Sequence, residues 1–227
     1  MIQNKDVDIN FKDVDVTNKT VVGIDIGTTH FFNCSDEFLN HTFSYKSEKL
    51  PKLVAYYNNM ANEIRNNSKL SRGEQARLMQ KPKGYIEQYV RDTIYERIAD
   101  AIYYMYPDDT LFVVGDNSLN DSNSLWSANA TIIQVVRRTL ETYFKEEWYM
   151  RDKKVVEVEE RQTSITCPVC HEVDGDNRTD DNGFNCQNCH FSYDDDDIIA
   201  SLNIAKRYRT QNELYQKINN RLQVSNH

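Results

Sequence analysis

The alternation of apolar and polar positions predicts five β-strands along the chain. Three of these runs follow one another near the N-terminus, separated by short polar turns, and two more come later. Apolar or alternating runs bounded by Gly, Asn, Asp or Ser are typical of strands. The predicted strands cover residues 21–26, 30–35, 41–46, 110–116 and 155–160.

Apolar residues at helical spacing predict helices between and after these strands. The supporting positions are Leu53, Tyr57, Ala61 and Ile64, then Ile86, Val90, Ile94, Ile98 and Ile102, then Ile132, Val136 and Leu140. A closing helix is predicted from about Asp197 to Arg209, with a second amphipathic segment through Leu214, Ile218 and Leu222. Strands followed by alternating helices and strands predict an α/β protein with a mixed sheet covered by helices.

Four of the five cysteines form two CxxC pairs that predict a structural zinc site. The pairs Cys167/Cys170 and Cys186/Cys189 are separated by 15 residues, at the short edge of zinc-ribbon spacing. Each CxxC lets two thiolates reach one ion, and two such turns complete a tetrahedral Zn²⁺ site. Two disulfides or a redox CxxC are the alternatives, and the absence of a secretory signal weighs against them. Cys34 is interpreted as a core residue.

The net charge of −8 is concentrated beside these cysteines, because residues 172–197 contain nine acids and one base. The rest of the chain is neutral overall, so its charge neither indicates nor excludes a nucleic-acid partner. No apolar run is long enough to cross a membrane and no signal peptide is apparent, which predicts a cytoplasmic protein.

A basic, polar connector follows the first predicted helix. Its cations are a candidate phosphate-contacting surface, with a solvated loop or helical hairpin as the alternative interpretation. The cations concerned are Arg65, Lys69, Arg72, Arg77, Lys81 and Lys83.

Two carboxylates stand at the ends of apolar strands. Asp25 lies within the run VVGIDI and Asp116 ends the run TLFVVGD. An unpaired charge inside a sheet is costly, so Asp25 is expected to face a cation or a pocket, although it could also cap the following turn. Ligands of α/β sheets gather near strand ends, and the predicted last helix would bring Asp197 to the same rim.

Several phrases of the sequence resemble the RuvC nuclease core of the TnpB (OrfB) transposon-associated proteins, which type V CRISPR effector nucleases share. The phrases are VVGIDIG, LFVVGDNS and VVEVEERQTSITCPVC, followed by the second CxxC and the DxxASLNI ending. In the last phrase the matching residues are Thr163, Ser164, the four cysteines, Arg178, Phe184, Asp197, Ala200, Asn203 and Ile204.

The resemblance spans about residues 20 to 210 and implies a ribonuclease H-like (RuvC) mixed sheet flanked by helices, with an inserted zinc ribbon. The domains would be a flexible lead-in or edge strand at 1–19, the RuvC-like domain at 20–162 plus 195–227, and the zinc-ribbon insertion at 163–194. It also implies a bacterial, phage or mobile-element origin.

The resemblance further implies cleavage of DNA with two Mg²⁺ or Mn²⁺ ions about 4 Å apart, besides one structural Zn²⁺. The candidate catalytic residues are therefore three acids: Asp25 would bridge both ions, Asp116 would serve as the middle acid, and Asp197 would be the late acid. Counting forward from Cys189 selects Asp196 instead, so Asp196 is the register alternative. DNA is the expected partner, contacted by Arg178 and the basic connector. RNA is compatible with the resemblance but not implied.

Three departures from the family pattern change the expectation. Where the family has Glu at the end of the fourth strand, this chain has Gly115, and Asp116 follows one place later. A one-place shift turns a side chain to the other face of a sheet unless a bulge restores it. His171 and His190 replace the glycine after each CxxC, where they could act as ligands or pack.

Few residues precede the first strand, so a stand-alone, structure-selective, resolvase-like nuclease is expected, for which a homodimer would be natural.

Two alternatives to a nuclease are compatible with the sequence. One is a catalytically weakened RuvC-like protein that binds or regulates nucleic acid. The other is an actin-like ATPase, because GIDIGTT also resembles the phosphate-binding hairpin of heat-shock chaperones and sugar kinases.

Overall fold

The computed structural model describes residues 16–116, 127–146 and 153–224, and consists of a five-stranded sheet, five helices and a small cysteine-bearing module. The strands of the sheet are β1 (Val21–Asp25), β2 (His30–Asp36), β3 (Thr42–Lys46), β4 (Leu111–Asp116) and β5 (Lys154–Glu159). The helices are α1 (Leu50–Asn66), α2 (Arg72–Thr93), α3 (Ala99–Met105), α4 (Ala128–Glu146) and α5 (Asp196–Val224). The short strands β6 (Phe184–Asn185) and β7 (Ser192–Tyr193) form a separate antiparallel ribbon.

The main sheet is mixed and has the strand order β3-β2-β1-β4-β5. β1, β2 and β3 form an antiparallel meander, whereas β1, β4 and β5 run parallel. The carboxyl ends of the three parallel strands therefore meet at one edge of the sheet, which is the edge where α/β proteins bind ligands. The five strands predicted from alternation are all present, and the predicted α/β class with a mixed sheet is confirmed.

Helices cover the two faces of the sheet unequally. Even-numbered positions of β1 and β4, such as Val22 and Phe112, join the large core under α1, α2 and α4. Odd-numbered positions, such as Val21 and Val113, form a smaller core with Ile204 of α5. Successive side chains of a strand point to opposite faces, so residue parity decides which helix layer a strand residue meets.

Two helices differ in extent from the pattern seen in the sequence. α2 begins at Arg72 with a capping box formed by Ser71 and Glu74, so most of the basic connector is helical and forms a hairpin with α1. The closing helix and the second amphipathic segment are one helix, α5, of 29 residues. No Gly or Pro stands between Arg209 and Leu214 to end the first segment.

Part of the predicted lead-in lies outside the described residues, namely residues 1–15. Val16 is buried, and Arg209 of α5 donates hydrogen bonds to the carbonyl oxygens of Val16 and Lys19 at 2.7 and 2.8 Å. The chain is thus fastened to α5 just before β1 begins. None of the helices in the described part of the chain is long and apolar enough to cross a membrane.

α5 packs directly on the backbone of β1 at Gly23. A Cβ atom added to Gly23 would lie 1.9 Å from the carbonyl oxygen of Ser201 and 2.7 Å from the amide nitrogen of Ala205. Both neighbours are backbone atoms of a helix, so they cannot turn aside as a flexible side chain could. The close approach at Gly23 sets the distance between α5 and the sheet.

Gly23→Ala is expected to lower the free energy of unfolding by about 3 kcal/mol or more, because the methyl group forces α5 away from β1. Chemical denaturation followed by circular dichroism measures the change. Gly84→Ala is the matched control: Gly84 lies inside α2 with open space around it, and alanine there should stabilise the protein by roughly 0.5–1 kcal/mol. Equal stabilities of the two variants would contradict the packing argument.

Candidate functional site

Asp25 lies at the carboxyl edge of the sheet and faces α5. β1 and β4 pair in parallel with Ile24 beside Val114, so the next step of the register places Asp25 beside Gly115. Both positions are odd-numbered, and Cβ atoms at Gly23 and Gly115 point at α5 residues. Alternation along β1 therefore directs the Asp25 side chain to the same side.

Asp116 points to the opposite face of the sheet. The β4–β5 ladder continues without a bulge, pairing Gly115 with Val158 and Asp116 with Glu159. Asp116 contributes to raising the pKa of Glu157, whose largest cause is burial, and Glu157 forms an ion pair with Arg137 of α4 at 2.8 Å. Asp116 thus belongs to the α4 side, and the structure does not bring it to Asp25.

Glu160 occupies the space above Gly115, and the sequence pattern did not single it out. A Cβ atom added to Gly115 would lie 2.3 Å from Oε2 and 3.0 Å from Cβ of Glu160. Glu160 follows β5 directly, its amide donates to the Asp116 carbonyl at 3.4 Å, and it is 8% exposed. Glycine at 115 therefore makes room for a glutamate carboxylate that arrives from the neighbouring strand.

The start of α5 contributes a cluster of aspartates. Oδ1 of Asp195 accepts hydrogen bonds from the amides of Asp197 and Ile198 at 3.1 and 3.3 Å, which caps the helix. Oδ2 of Asp197 lies 2.6 Å from Nδ1 of His30 on β2. Asp196 is 1% exposed and accepts a hydrogen bond from Nε of Arg178, so the two register alternatives have different partners.

These acids influence one another electrostatically. Burial raises the pKa of Asp25 well above its usual range, and the charges of Glu160, Asp197 and Asp196 raise it further, while Arg178 acts in the opposite direction. Carboxylates gathered in this way repel one another unless a cation is present. An all-oxygen, negatively charged donor set at the edge of a sheet fits hard divalent cations such as Mg²⁺ and Mn²⁺.

The four paired cysteines converge into one cluster. Their sulfur atoms all lie within 4.8 Å of one another, with Cys167 to Cys189 and Cys170 to Cys186 each at 3.5 Å. The thiols are free, which excludes the alternative of two disulfides. Tetrahedral Zn–S bonds of about 2.3 Å place sulfur atoms roughly 3.8 Å apart, so the cluster is compatible with one zinc ion.

Each CxxC turn ends in a histidine with left-handed backbone. His171 and His190 have φ values of 64° and 60°. Their amides donate to the carbonyls of Cys167 and Cys186 at 3.0 and 3.1 Å, which closes the two turns in the same way. The left-handed region favours glycine, so the positions where the family pattern has glycine are those with left-handed backbone, which this chain forms with histidine.

The cysteine module is fastened to α5. Asn203 donates to the carbonyls of Thr163 and Thr166 at 2.8 and 2.7 Å, and Lys206 donates to the carbonyl of Pro168 at 3.0 Å. The apolar contacts are made by Cys167, Phe184, Cys186, Ile199 and Leu202. Most residues that carry the resemblance around the cysteines therefore join the module to the helix that presents Asp197.

The basic connector lies on the opposite side of the sheet from α5. α1 and α2 belong to the helix layer on the face of the sheet opposite α5. All six cations except the partly buried Lys83 are exposed, and Lys83 lies 3.7 Å from Glu87. Arg178 instead stands beside the acidic edge as the partner of Asp196.

The strand order, the acids at the carboxyl edge and the late helix with its acidic start define a ribonuclease H-like fold of the RuvC kind. We then compared the chain with protein families and with proteins of known structure. Residues 138–204 match the family described as "Cas12f1-like, TNB domain". No curated protein matches the chain.

The solved structures that resemble the chain include two Cas12f complexes. The "Cas12f1-sgRNA-target DNA complex" aligns with a TM-score of 0.53 and 16% identity over 85% of this chain and 51% of that protein. A "CRISPR-Cas12f Ternary Complex" aligns at 0.49 and 18% identity over 85% of this chain and 40% of that protein. The chain thus spans about half, or less, of the proteins that it resembles. The first of these alignments shows a shared fold, and the family match covers residues 138–204.

Proposed function

We propose that the protein is a metal-dependent DNA endonuclease whose catalytic acids are Asp25, Glu160 and Asp197. The observation that carries the proposal is that β1, the end of β5 and the start of α5 bring Asp25, Glu160 and Asp197 to one edge of the sheet, where the charges of Glu160 and Asp197 raise the pKa of Asp25. These are three different elements, and glycine at 115 leaves room both for Glu160 and for Ile204 of α5.

The three acids would hold two divalent cations, which, when bound, would activate a water nucleophile and stabilise the leaving oxygen. β1, which carries Asp25, lies between β5 and β2 in the sheet, and Asp197 contacts His30 of β2, so Asp25 is the acid that would be shared by both cations. Asp196 is better suited to support than to bind, because Arg178 already holds one of its carboxylate oxygens. The cysteine module and its zinc ion would keep the start of α5, and hence Asp197, at the edge of the sheet.

The charges around the site determine how a nucleic-acid substrate could bind. A dense set of carboxylates repels phosphates unless cations intervene, so cleavage of a polyanion there requires loaded metal ions. The six cations of the basic connector lie on the other layer, where they could contact a flanking stretch of the same nucleic acid. A resolvase-like preference for branched DNA and a homodimer stay predictions.

A nucleic-acid-binding protein without activity is the second candidate. The position of Asp116 on the α4 side favours it, because an active site that depended on Asp116 would lack its middle acid. Glu160 removes that objection if it binds a cation. The two candidates therefore differ in whether bound DNA is cut.

The test is incubation of the purified chain with single-stranded, duplex and four-way-junction DNA, and with RNA, in Mg²⁺ or Mn²⁺. We expect cleavage of at least one DNA substrate, and a loss of about a hundredfold or more in Asp25→Asn. Asp92→Asn on the exposed side of α2 is the matched control and should cleave normally.

Three outcomes separate the candidates. No cleavage by the unmutated protein in any arm overturns the nuclease proposal, and metal-dependent binding without cleavage then supports the second candidate. If Asp25→Asn still cleaves DNA at the normal rate, the catalytic site does not depend on Asp25 and lies elsewhere. Stabilisation by nucleotides instead of by DNA would favour the actin-like ATPase. Sequencing of co-purified nucleic acid tests for a guide.

A further inference from the structure

His30 adds a nitrogen donor to the acidic start of α5. The donor atoms of His30, Asp195 and Asp197 all lie within 4.8 Å of one another. Ligands of a six-coordinate ion with bonds of about 2.1 Å lie roughly 3 to 4.2 Å apart, so the three side chains can reach one cation with small adjustments. His30 and Asp197 are each about one-fifth exposed, which leaves the group accessible to an ion from solvent.

The hydrogen bond between His30 and Asp197 joins the two side chains that would share the ion. Nδ1 of His30 and Oδ2 of Asp197 are 2.6 Å apart, and neighbouring ligands of one ion need about 3 Å, so a cation can replace the shared proton after a shift of a few tenths of an ångström. Asp195 uses Oδ1 to cap α5, and its other oxygen can face the ion.

A buried polar atom without a hydrogen-bond partner adjoins this group. Oδ1 of Asp196 is buried and lacks a hydrogen-bond partner within the described part of the chain. A buried carboxylate oxygen without a partner is costly, and a nearby cation would offset that cost.

From this geometry we propose that His30 is a direct ligand of the cation at Asp197, and that it makes this site select Mn²⁺ over Mg²⁺. The proposal rests on the proposed function in one respect, namely that Asp197 holds a cation. Imidazole nitrogen favours borderline transition-metal ions, whereas Mg²⁺ prefers oxygen donors and retains its waters. A site of carboxylates alone lacks this discrimination.

The experiment measures metal binding and not cleavage. The full chain, with zinc in its cysteine site, is titrated with Mn²⁺ and with Mg²⁺, and the Mn²⁺-loaded protein is studied by electron spin echo envelope modulation. Directly coordinated ¹⁴N gives a distinct modulation, and the zinc ion is silent. We expect ¹⁴N coupling in the unmutated protein and its loss in His30→Asn. We also expect that variant to lose on the order of tenfold in Mn²⁺ affinity and less than about twofold in Mg²⁺ affinity.

Asparagine separates a ligand from a hydrogen-bond donor, because its amide keeps an N–H near the position of Nδ1. His41→Asn is the matched control: His41 forms a second histidine–aspartate pair, 3.3 Å from Asp36, and the variant should change neither affinity nor ¹⁴N coupling. Mn²⁺ bound without ¹⁴N coupling, or equal losses for both ions in His30→Asn, overturns the role of His30 alone. If neither Mn²⁺ nor Mg²⁺ binds in a manner that depends on Asp197, the proposed function is overturned as well.

Discussion

Glu160→Gln is expected to reduce the rate of DNA cleavage by about a thousandfold while leaving the fold intact. The amide has the size of the carboxylate, but it carries no charge and is a poor ligand for a hard cation. Loss of several kcal/mol of metal-dependent stabilisation of the transition state corresponds to a factor of this size. Single-turnover cleavage at saturating Mn²⁺, with circular dichroism as the measure of folding, checks the prediction.

Asp116→Asn is the matched control for Glu160→Gln. Asp116 lies at the end of the adjacent strand, but its side chain is on the α4 side, so its removal should change the cleavage rate less than about threefold. Gly115→Ala reaches Glu160 by another route: the added methyl group would overlap Oε2 and should displace the carboxylate, with a loss of activity. An inactive Asp116→Asn beside an active Glu160→Gln would show that β4 supplies the middle acid after all.

The layers of the fold could be predicted from the sequence because strand and helix periodicities are local. Alternation located the five strands, and spacing of three and four residues located the helices. Whether neighbouring helical segments are continuous was harder to predict. The continuity of α5 depended on the absence of a helix-breaking residue between two apolar stripes, which periodicity alone does not register.

The site was only partly predictable, since a catalytic set depends on which face each strand residue meets. Asp25 stood out as a charge inside an apolar strand. Glu160 did not, although parity along β5 places it on the side of Val158, which packs against α5. A glutamate two places beyond a buried valine, beside a glycine in the neighbouring strand, is a signal that requires the β4–β5 register to interpret.

His30 illustrates a second limit. It lies far from Asp197 in the sequence, and the packing of α5 against β1 and β2 brings the two within hydrogen-bond distance. The left-handed residues after the two CxxC pairs show the reverse situation. There the family pattern already indicated the backbone conformation, because glycine at those places is typical of a positive φ.

Removal of zinc is expected to abolish both the structure of the cysteine module and cleavage. Binding of structural zinc supplies roughly 10–16 kcal/mol in small zinc modules, far more than the apolar contacts of so small a module can replace. Loss of the module releases Asn203, Lys206 and Arg178 from their partners around α5. Asp197 then loses its fixed position at the edge of the sheet. Hydrogen exchange should rise over residues 163–202 in protein treated with a chelator, while β1 and β4 remain protected.

Cys186→Ser tests the same dependence without a chelator that could also remove the catalytic ions. We expect one zinc per unmutated chain, a loss of most of this zinc in Cys186→Ser, and cleavage lowered in proportion to the zinc lost. Cys34→Ala is the control, because Cys34 is buried in the main core beside Tyr106 and away from the cluster, and its zinc content should stay at one. If Cys186→Ser cleaved DNA normally with its zinc gone, the cysteine module would have no part in placing Asp197, and its fastening to α5 would serve another purpose, such as contact with nucleic acid.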